Sequence, residues 1–129
     1  MSPQYKPKVT LFYCINSIDK ETLKLIHAKV SVELTTVEMA CSSMTKDVYL
    51  LRAFESGADK VVVVACPETQ CRYVQGSIRA RKRVEYVKKI LNEIGLDCGR
   101  LSMLNATARD KETVVKFFED IGNYKLLKN

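Results

Sequence analysis

Four consecutive valines occupy the centre of the segment KVVVVA, which runs from Lys60 to Ala65. A run of β-branched residues without polar alternation is typical of a strand that is covered on both faces, as in a parallel sheet. Helices must then lie on both sides of that sheet, because each connection between parallel strands crosses over one face. The segment therefore predicts an α/β fold.

The rest of the chain alternates between strand-like and helix-like segments. Apolar or alternating runs predict strands at residues 9–14, 32–39, 60–65 and 101–107, the second of them at a sheet edge. Apolar residues at helical spacing predict helices at residues 19–29, 47–57, 76–94 and 111–121. Four β-α units with short connections predict a single three-layer domain over residues 1–129. Its sheet would be parallel and flavodoxin-like or Rossmann-like, with strand order 2-1-3-4.

The predicted helices carry recognisable end signals. Ser17 or Asp19 can cap the first helix, and Thr45, with Asp47 close behind, opens the second. Gly57 and Gly95 are placed to end the second and third helices. Two apolar faces are expected to pack on the sheet, one formed by Val48, Leu50, Leu51 and Phe54 and the other by Ala80, Val84, Val87, Leu91 and Ile94.

Length and composition limit the classes of function. The 129 residues are 47% hydrophobic, which suits one globular domain. No segment approaches the roughly 18 consecutive apolar residues of a membrane span, and the opening MSPQYKPK lacks the apolar stretch of a secretory signal. We therefore expect a cytoplasmic protein with reduced thiols and no membrane association. The net charge of +6 suits an acidic partner, either nucleic acid or a protein surface.

Four of the five cysteines lie at the ends of predicted strands or just after one. They are Cys14, Cys41, Cys66 and Cys71. The carboxyl ends of parallel strands meet along one edge of a sheet, and strand order 2-1-3-4 would put Cys14 beside Cys66. Four thiolates can complete a [2Fe–2S] or [4Fe–4S] cluster. The sequence therefore predicts a metal or iron–sulfur site at this edge.

The cysteines also allow other interpretations. Taken singly, Cys14, Cys41 and Cys66 could equally be small apolar core residues, whereas the four together favour ligation. Structural zinc sites usually pair two closely spaced knuckles, and only Cys66 and Cys71 are close in sequence. A thiol redox enzyme would be expected to show C-x-x-C, which is absent. Cys98 is predicted at the opposite edge without a role, and His27 on a helix as a solvated or hydrogen-bonded residue.

Basic residues repeat at near-helical spacing on the third predicted helix, at Arg79, Lys82, Arg83 and Lys89. Most such runs are solvated faces, although this one could also shield an anionic cluster or dock an acidic redox partner. Nucleic-acid binding is disfavoured because no aromatic residues are interleaved with the charges. The sequence CINSIDKET after the first strand is not a phosphate-binding loop, and no catalytic constellation has supporting spacing, so a self-contained enzyme is also disfavoured.

Three motifs carry a resemblance to a known family. They are RAFESGAD at residues 52–59, Cys66 and Cys71 followed by Arg72 and Tyr73, and GSIRARKR at residues 76–83. This pattern resembles the delta subunit family of methyl-viologen-reducing hydrogenase, whose members are hydrogenase iron–sulfur subunits. The resemblance extends back to Cys41 and Cys14. It departs from the family at Ser17, where a second cysteine often completes C-x-x-C, and at Ser77, where asparagine is usual.

The resemblance implies an electron-transfer subunit rather than a catalyst. Its [2Fe–2S] cluster would be bound by Cys14, Cys41, Cys66 and Cys71, with Arg72 and Tyr73 donating hydrogen bonds toward the cluster sulfurs. Such a protein relays electrons between a hydrogenase or other donor and a larger reductase complex in anaerobic metabolism. Implied partners are hydrogenase, heterodisulfide-reductase-like components, methylenetetrahydrofolate reductase and corrinoid methyl-transfer components.

Two functions of other classes stay open at this point. One is a cluster-free or zinc-binding α/β adaptor that uses the same sheet edge to hold a partner within a redox or methyl-transfer complex. The other is a nucleic-acid binder that uses the basic helix, whose affinity would fall steeply with added salt.

Overall fold

The computed structural model describes residues 7–15, 17–29, 32–40, 45–66, 76–107 and 109–124. The strands are β1 (Lys8–Cys14), β2 (Glu33–Met39), β3 (Lys60–Ala65) and β4 (Leu101–Asn105). The helices are α1 (Lys20–Lys29), α2 (Asp47–Glu55), α3 (Gly76–Glu93) and α4 (Lys111–Tyr124), and a short 3-10 turn, Cys98–Arg100, precedes β4. None of the helices in these ranges combines the length and apolar character needed to cross a bilayer.

The four strands form one sheet in the order β2-β1-β3-β4, and every neighbouring pair is parallel. This confirms the predicted α/β class and strand order, and it places β2 at an edge as expected. The register pairs Cys14 with Met39 of β2, and Tyr13 with Val64 of β3. The carboxyl ends of β1, β2 and β3 therefore lie close to one another along one edge of the sheet.

The valines of β3 divide between two hydrophobic cores, one on each face of the sheet. Val62 and Val64 pack with residues of α1 and α4, including Ile26 and Phe118. Val61 and Val63 pack on the other face with residues of α2 and α3, which include Leu50, Val84, Val87 and Leu91. All four valines are fully buried. Burying each such side chain contributes roughly 1.5–3 kcal/mol, which explains why this segment forms the centre of the sheet.

The helix ends agree with the sequence at some positions and differ at others. Asp19, rather than Ser17, caps α1, because its carboxylate accepts hydrogen bonds from the Thr22 backbone N–H at 2.9 Å and the Thr22 hydroxyl at 2.8 Å. The expectation that Thr45 opens α2 is wrong. The N-cap is Lys46, without a side-chain cap, and the Thr45 hydroxyl donates to Met39 Sδ at 3.3 Å instead.

Gly57 and Gly95 follow α2 and α3 with φ angles of +103° and +88°. Glycine is favoured there because this left-handed conformation is strained for other residues. Two apolar residues depart from the predicted faces. Ile94 is 63% exposed because α3 ends before it, and Val48 is exposed because residues two apart on a helix, such as Val48 and Leu50, point in nearly opposite directions.

Replacing Asp19 with alanine should destabilise the protein in a pH-dependent way. The Thr22 N–H and hydroxyl hold the pKa of Asp19 below its ordinary value, so the carboxylate stabilises the fold above the unfolded-state pKa of about 3.9. That stabilisation is lost as the pH falls through the lower folded-state pKa. We expect Asp19→Ala to lower the urea midpoint at pH 7, with the difference from wild type shrinking below about pH 4.

Asp19→Asn is the matched control for this substitution. It keeps an acceptor oxygen at the N-cap but has no titrating group, so it should retain most of the stability without that pH dependence. A loss for Asp19→Ala that is the same at pH 7 and at pH 3 would contradict the capping role of the carboxylate.

Candidate functional site

Cys14 and Cys66 lie at the same edge of the sheet, at the carboxyl ends of neighbouring strands. Cys14 is the last residue of β1, and Cys66 directly follows β3. Because Tyr13 pairs with Val64, Cys14 is one residue beyond the last paired position of β1, and Cys66 is two beyond that of β3. They are only 1% and 5% exposed. The fold therefore brings together two sulfur atoms that are distant in the sequence and largely shielded from water.

The other predicted site residues, Cys41, Cys71, Arg72 and Tyr73, lie outside the described residues. The described chain reaches the same edge at Ala40, one residue after Met39, which pairs with Cys14. Within the described ranges, no three histidine, cysteine, aspartate or glutamate side chains are grouped so as to hold a metal ion. The assignment of these cysteines as ligands, and of Arg72 and Tyr73 as their neighbours, stays a prediction.

Hydrogen bonds hold the backbone in place around the two cysteines. The Asn105 side-chain amide donates to the Cys66 carbonyl at 3.0 Å, and Ala106 N–H donates to the Ala65 carbonyl at 2.8 Å. On the other side, Ile15 N–H donates to the Met39 carbonyl at 2.9 Å. The sequence did not point to Asn105, because only the sheet order reveals that the end of β4 lies beside the end of β3.

Arg83 connects α3 to the chain segment that leads into α2. Its guanidinium donates a hydrogen bond of 2.7 Å to the Thr45 carbonyl, and the residue is half-buried. The expectation of a uniformly solvated basic face is therefore incomplete, although Arg79, Lys82 and Lys89 are exposed as expected. Arg83 and Lys82 are adjacent in sequence, and only the packing of α3 against α2 separates their roles.

Ser17 is the third residue after Cys14 and is almost fully buried. Its backbone N–H donates to the Cys14 carbonyl at 2.8 Å, so the chain turns back at the end of β1. Among the described residues, its Oγ has no hydrogen-bond partner. Burying an unsatisfied hydroxyl costs about 1–3 kcal/mol, so such an atom in a native fold calls for a physical explanation.

The surroundings of this edge are poor in water. Burial, with added repulsion from Glu38, raises the pKa of Tyr13, the neighbour of Cys14. Sulfur atoms in such surroundings suit soft metals and iron–sulfur clusters, which take thiolate ligands. The unsatisfied Ser17 hydroxyl is also what a site with a missing hydrogen-bond acceptor would leave. The residues present therefore fit an iron–sulfur centre, with Cys14 and Cys66 as two of its ligands.

Two further residues that the sequence singled out lie away from this edge. Cys98 is in the 3-10 turn that precedes β4, which is the opposite end of the sheet, as predicted. His27 is exposed on α1, as expected for a solvated side chain. Neither residue contributes to the cysteine edge.

The family of the chain follows from its match to a family model. Residues 9–124 match the model of methyl-viologen-reducing hydrogenase, delta subunit. This range contains nearly all of the sheet and every helix. The chain therefore belongs to this family, which confirms the resemblance carried by its motifs.

Individual relatives are of two kinds. One is the A component of the ferredoxin:CoB-CoM heterodisulfide reductase of Methanosarcina mazei, which is 30% identical over 123 residues, covering 89% of this chain and 15% of that protein. The other is the vhu iron-sulfur subunit of the F420-non-reducing hydrogenase of Methanocaldococcus jannaschii, which is 34% identical over 79 residues, covering 61% of this chain and 59% of that protein. The chain thus spans less than two thirds of the length of both relatives.

Removing the Arg83 side chain should weaken the fold more than removing its neighbour. We expect Arg83→Met to lower the free energy of unfolding by about 1.5–3 kcal/mol, because a hydrogen bond from a charged group to the Thr45 carbonyl is lost. Lys82→Met, the matched control on the exposed face, should change it by less than about 0.5 kcal/mol. Urea unfolding of both variants tests this, and equal losses would contradict the structural role of Arg83.

Proposed function

We propose that this chain is an electron-transfer subunit that carries a [2Fe–2S] cluster on Cys14, Cys41, Cys66 and Cys71. The observation that carries the proposal is the burial of Cys14 and Cys66 at the adjacent carboxyl ends of β1 and β3. Membership of a hydrogenase delta subunit family supports it, as does the iron-sulfur designation of the relative from Methanocaldococcus jannaschii.

The protein supplies position and environment to this proposed centre. The cluster, when bound, takes up and releases one electron at a time. The parallel register fixes the Cys14 and Cys66 backbone, and the hydrogen bond from Asn105 restrains the carbonyl of Cys66. Burial limits access of water, which together with hydrogen bonds to the sulfurs sets the reduction potential. Arg72 and Tyr73 remain the predicted donors of hydrogen bonds from the loop after β3.

The electron donor and acceptor are proposed from the two kinds of relative. One relative is named as part of a hydrogenase and the other as part of a heterodisulfide reductase, and the matched region is a small part of the second protein. We infer that this chain transfers electrons between a hydrogenase or similar donor and a heterodisulfide-reductase-like acceptor. Methylenetetrahydrofolate reductase and corrinoid methyl-transfer components remain predicted partners. A cytoplasmic location and a role in anaerobic metabolism also remain predictions.

The exposed cations of α3 are the proposed docking surface for an acidic redox partner. Arg79, Lys82 and Lys89 are exposed, and α3 begins at residue 76, after the loop that contains Cys71. The net charge of the chain is +6, so an acidic partner would be attracted over a distance. The surface would therefore act on the rate at which the two proteins meet.

Replacing either buried cysteine should abolish the cluster. We expect Cys14→Ser and Cys66→Ser each to lose most of the iron, the sulfide and the visible absorption of anaerobically purified protein. The physical reason is that a serine hydroxyl is a harder and much less acidic ligand than a thiol. Cys98→Ser is the matched control, because Cys98 lies at the other end of the sheet, and it should keep wild-type iron and sulfide.

Two results would contradict the cluster assignment. Unchanged iron and sulfide content in both Cys14→Ser and Cys66→Ser would remove these residues from the ligand set. A colourless wild-type protein with stoichiometric zinc would instead favour the zinc-binding adaptor.

Neutralising the docking surface should slow association with an acidic partner. We expect the triple variant Arg79→Gln/Lys82→Gln/Lys89→Gln to bind a purified heterodisulfide-reductase-type partner at least about tenfold more slowly at low salt. The difference should vanish at high salt, where the charges are screened. Stopped-flow measurements over a range of ionic strength provide the rates.

The matched control removes the same number of charges from other surfaces. Lys20→Gln/Lys24→Gln/Lys116→Gln changes exposed lysines of α1 and α4, on the opposite side of the sheet from α3. It should associate at nearly the wild-type rate. Equal slowing by both triple variants would show that net charge, and not the α3 surface, governs docking.

A further inference from the structure

Three polar residues are buried in the described part of the chain, and only one of their hydroxyls lacks a partner. They are Ser17, Thr22 and Thr45. The Thr22 hydroxyl donates to the Asp19 carboxylate, and the Thr45 hydroxyl donates to Met39 Sδ. Ser17 Oγ has no hydrogen-bond partner within the same described ranges. Native folds rarely bury a hydroxyl in this way, so a partner from outside the protein chain is expected.

The position of Ser17 indicates where that partner would be. Its backbone N–H bonds to the Cys14 carbonyl at 2.8 Å, which closes a four-residue turn at the end of β1. Because Asp19 caps α1, the Ser17 hydroxyl is not needed for the helix. A hydroxyl can donate one hydrogen bond, and a metal-bound thiolate or sulfide is an acceptor. Ser17 therefore lies where a bound centre on Cys14 would supply the missing partner.

We propose that Ser17 Oγ donates a hydrogen bond to a sulfur atom at the Cys14 end of the bound cluster and thereby raises its reduction potential. The inference rests on the proposed cluster. Reduction adds one negative charge to the centre, and a hydrogen bond stabilises the more negative state more strongly. Ser17 is a positioning and tuning residue here, not a ligand.

The test compares the loaded and the cluster-free protein. In the loaded protein, Ser17→Ala should shift the midpoint potential to a more negative value in a redox titration followed by electron paramagnetic resonance. Ser17→Thr, which keeps the hydroxyl, should restore the potential toward that of wild type. If Ser17→Ala retains less iron, the potential is measured on its loaded fraction.

In the cluster-free protein, Ser17→Ala should be as stable as wild type or more stable, because it removes an unsatisfied buried hydroxyl. Thr22→Ala is the matched control. It removes a buried hydroxyl that has a protein partner, so it should lower the urea midpoint of the cluster-free protein while leaving the potential of the loaded protein unchanged.

Two results would overturn the role of Ser17 alone. One is an unchanged potential in cluster-loaded Ser17→Ala, and the other is a loss of stability in the cluster-free protein as large as that of Thr22→Ala. Wild-type protein that binds no iron and sulfide under anaerobic reconstitution would overturn both the proposed function and this inference. The three outcomes are distinguishable from one set of preparations.

Discussion

Burial of β3 on both faces is the constraint on which the rest of the structure depends. Val61 and Val63 belong to one core and Val62 and Val64 to the other, so two helix layers must cover the sheet. Parallel connections then direct every strand the same way. As a result, the ends of β1 and β3 deliver Cys14 and Cys66 to one edge, and the stability of the central strand also fixes the geometry of the candidate site.

Much of the fold was predictable because its signals are local. The valine run, the helical spacing of apolar residues and the glycines at positions 57 and 95 each act within one element, and short β-α units leave few topologies. Positions decided by tertiary packing were predicted less well. Thr45 contacts Met39 instead of capping α2, and Ile94 lies beyond the end of α3.

The candidate site divides in the same way. That Cys14 and Cys66 share an edge followed from strand order, which the sequence supports. The contributions of Asn105, Arg83 and Ser17 did not follow, because each depends on a contact between elements distant in sequence or on the absence of a local partner. The sequence offers both Ser17 and Asp19 as helix caps, and only the hydrogen bonds of Asp19 show that the Ser17 hydroxyl is not used there.

The central claim is that this sheet edge holds a [2Fe–2S] cluster, and the most direct measurement is iron and sulfide analysis of anaerobically prepared protein, combined with electron paramagnetic resonance. The account predicts iron and sulfide in [2Fe–2S] stoichiometry per chain and a paramagnetic signal that appears on one-electron reduction. Protein that takes up neither iron nor sulfide under these conditions, or that holds stoichiometric zinc in their place, would contradict it.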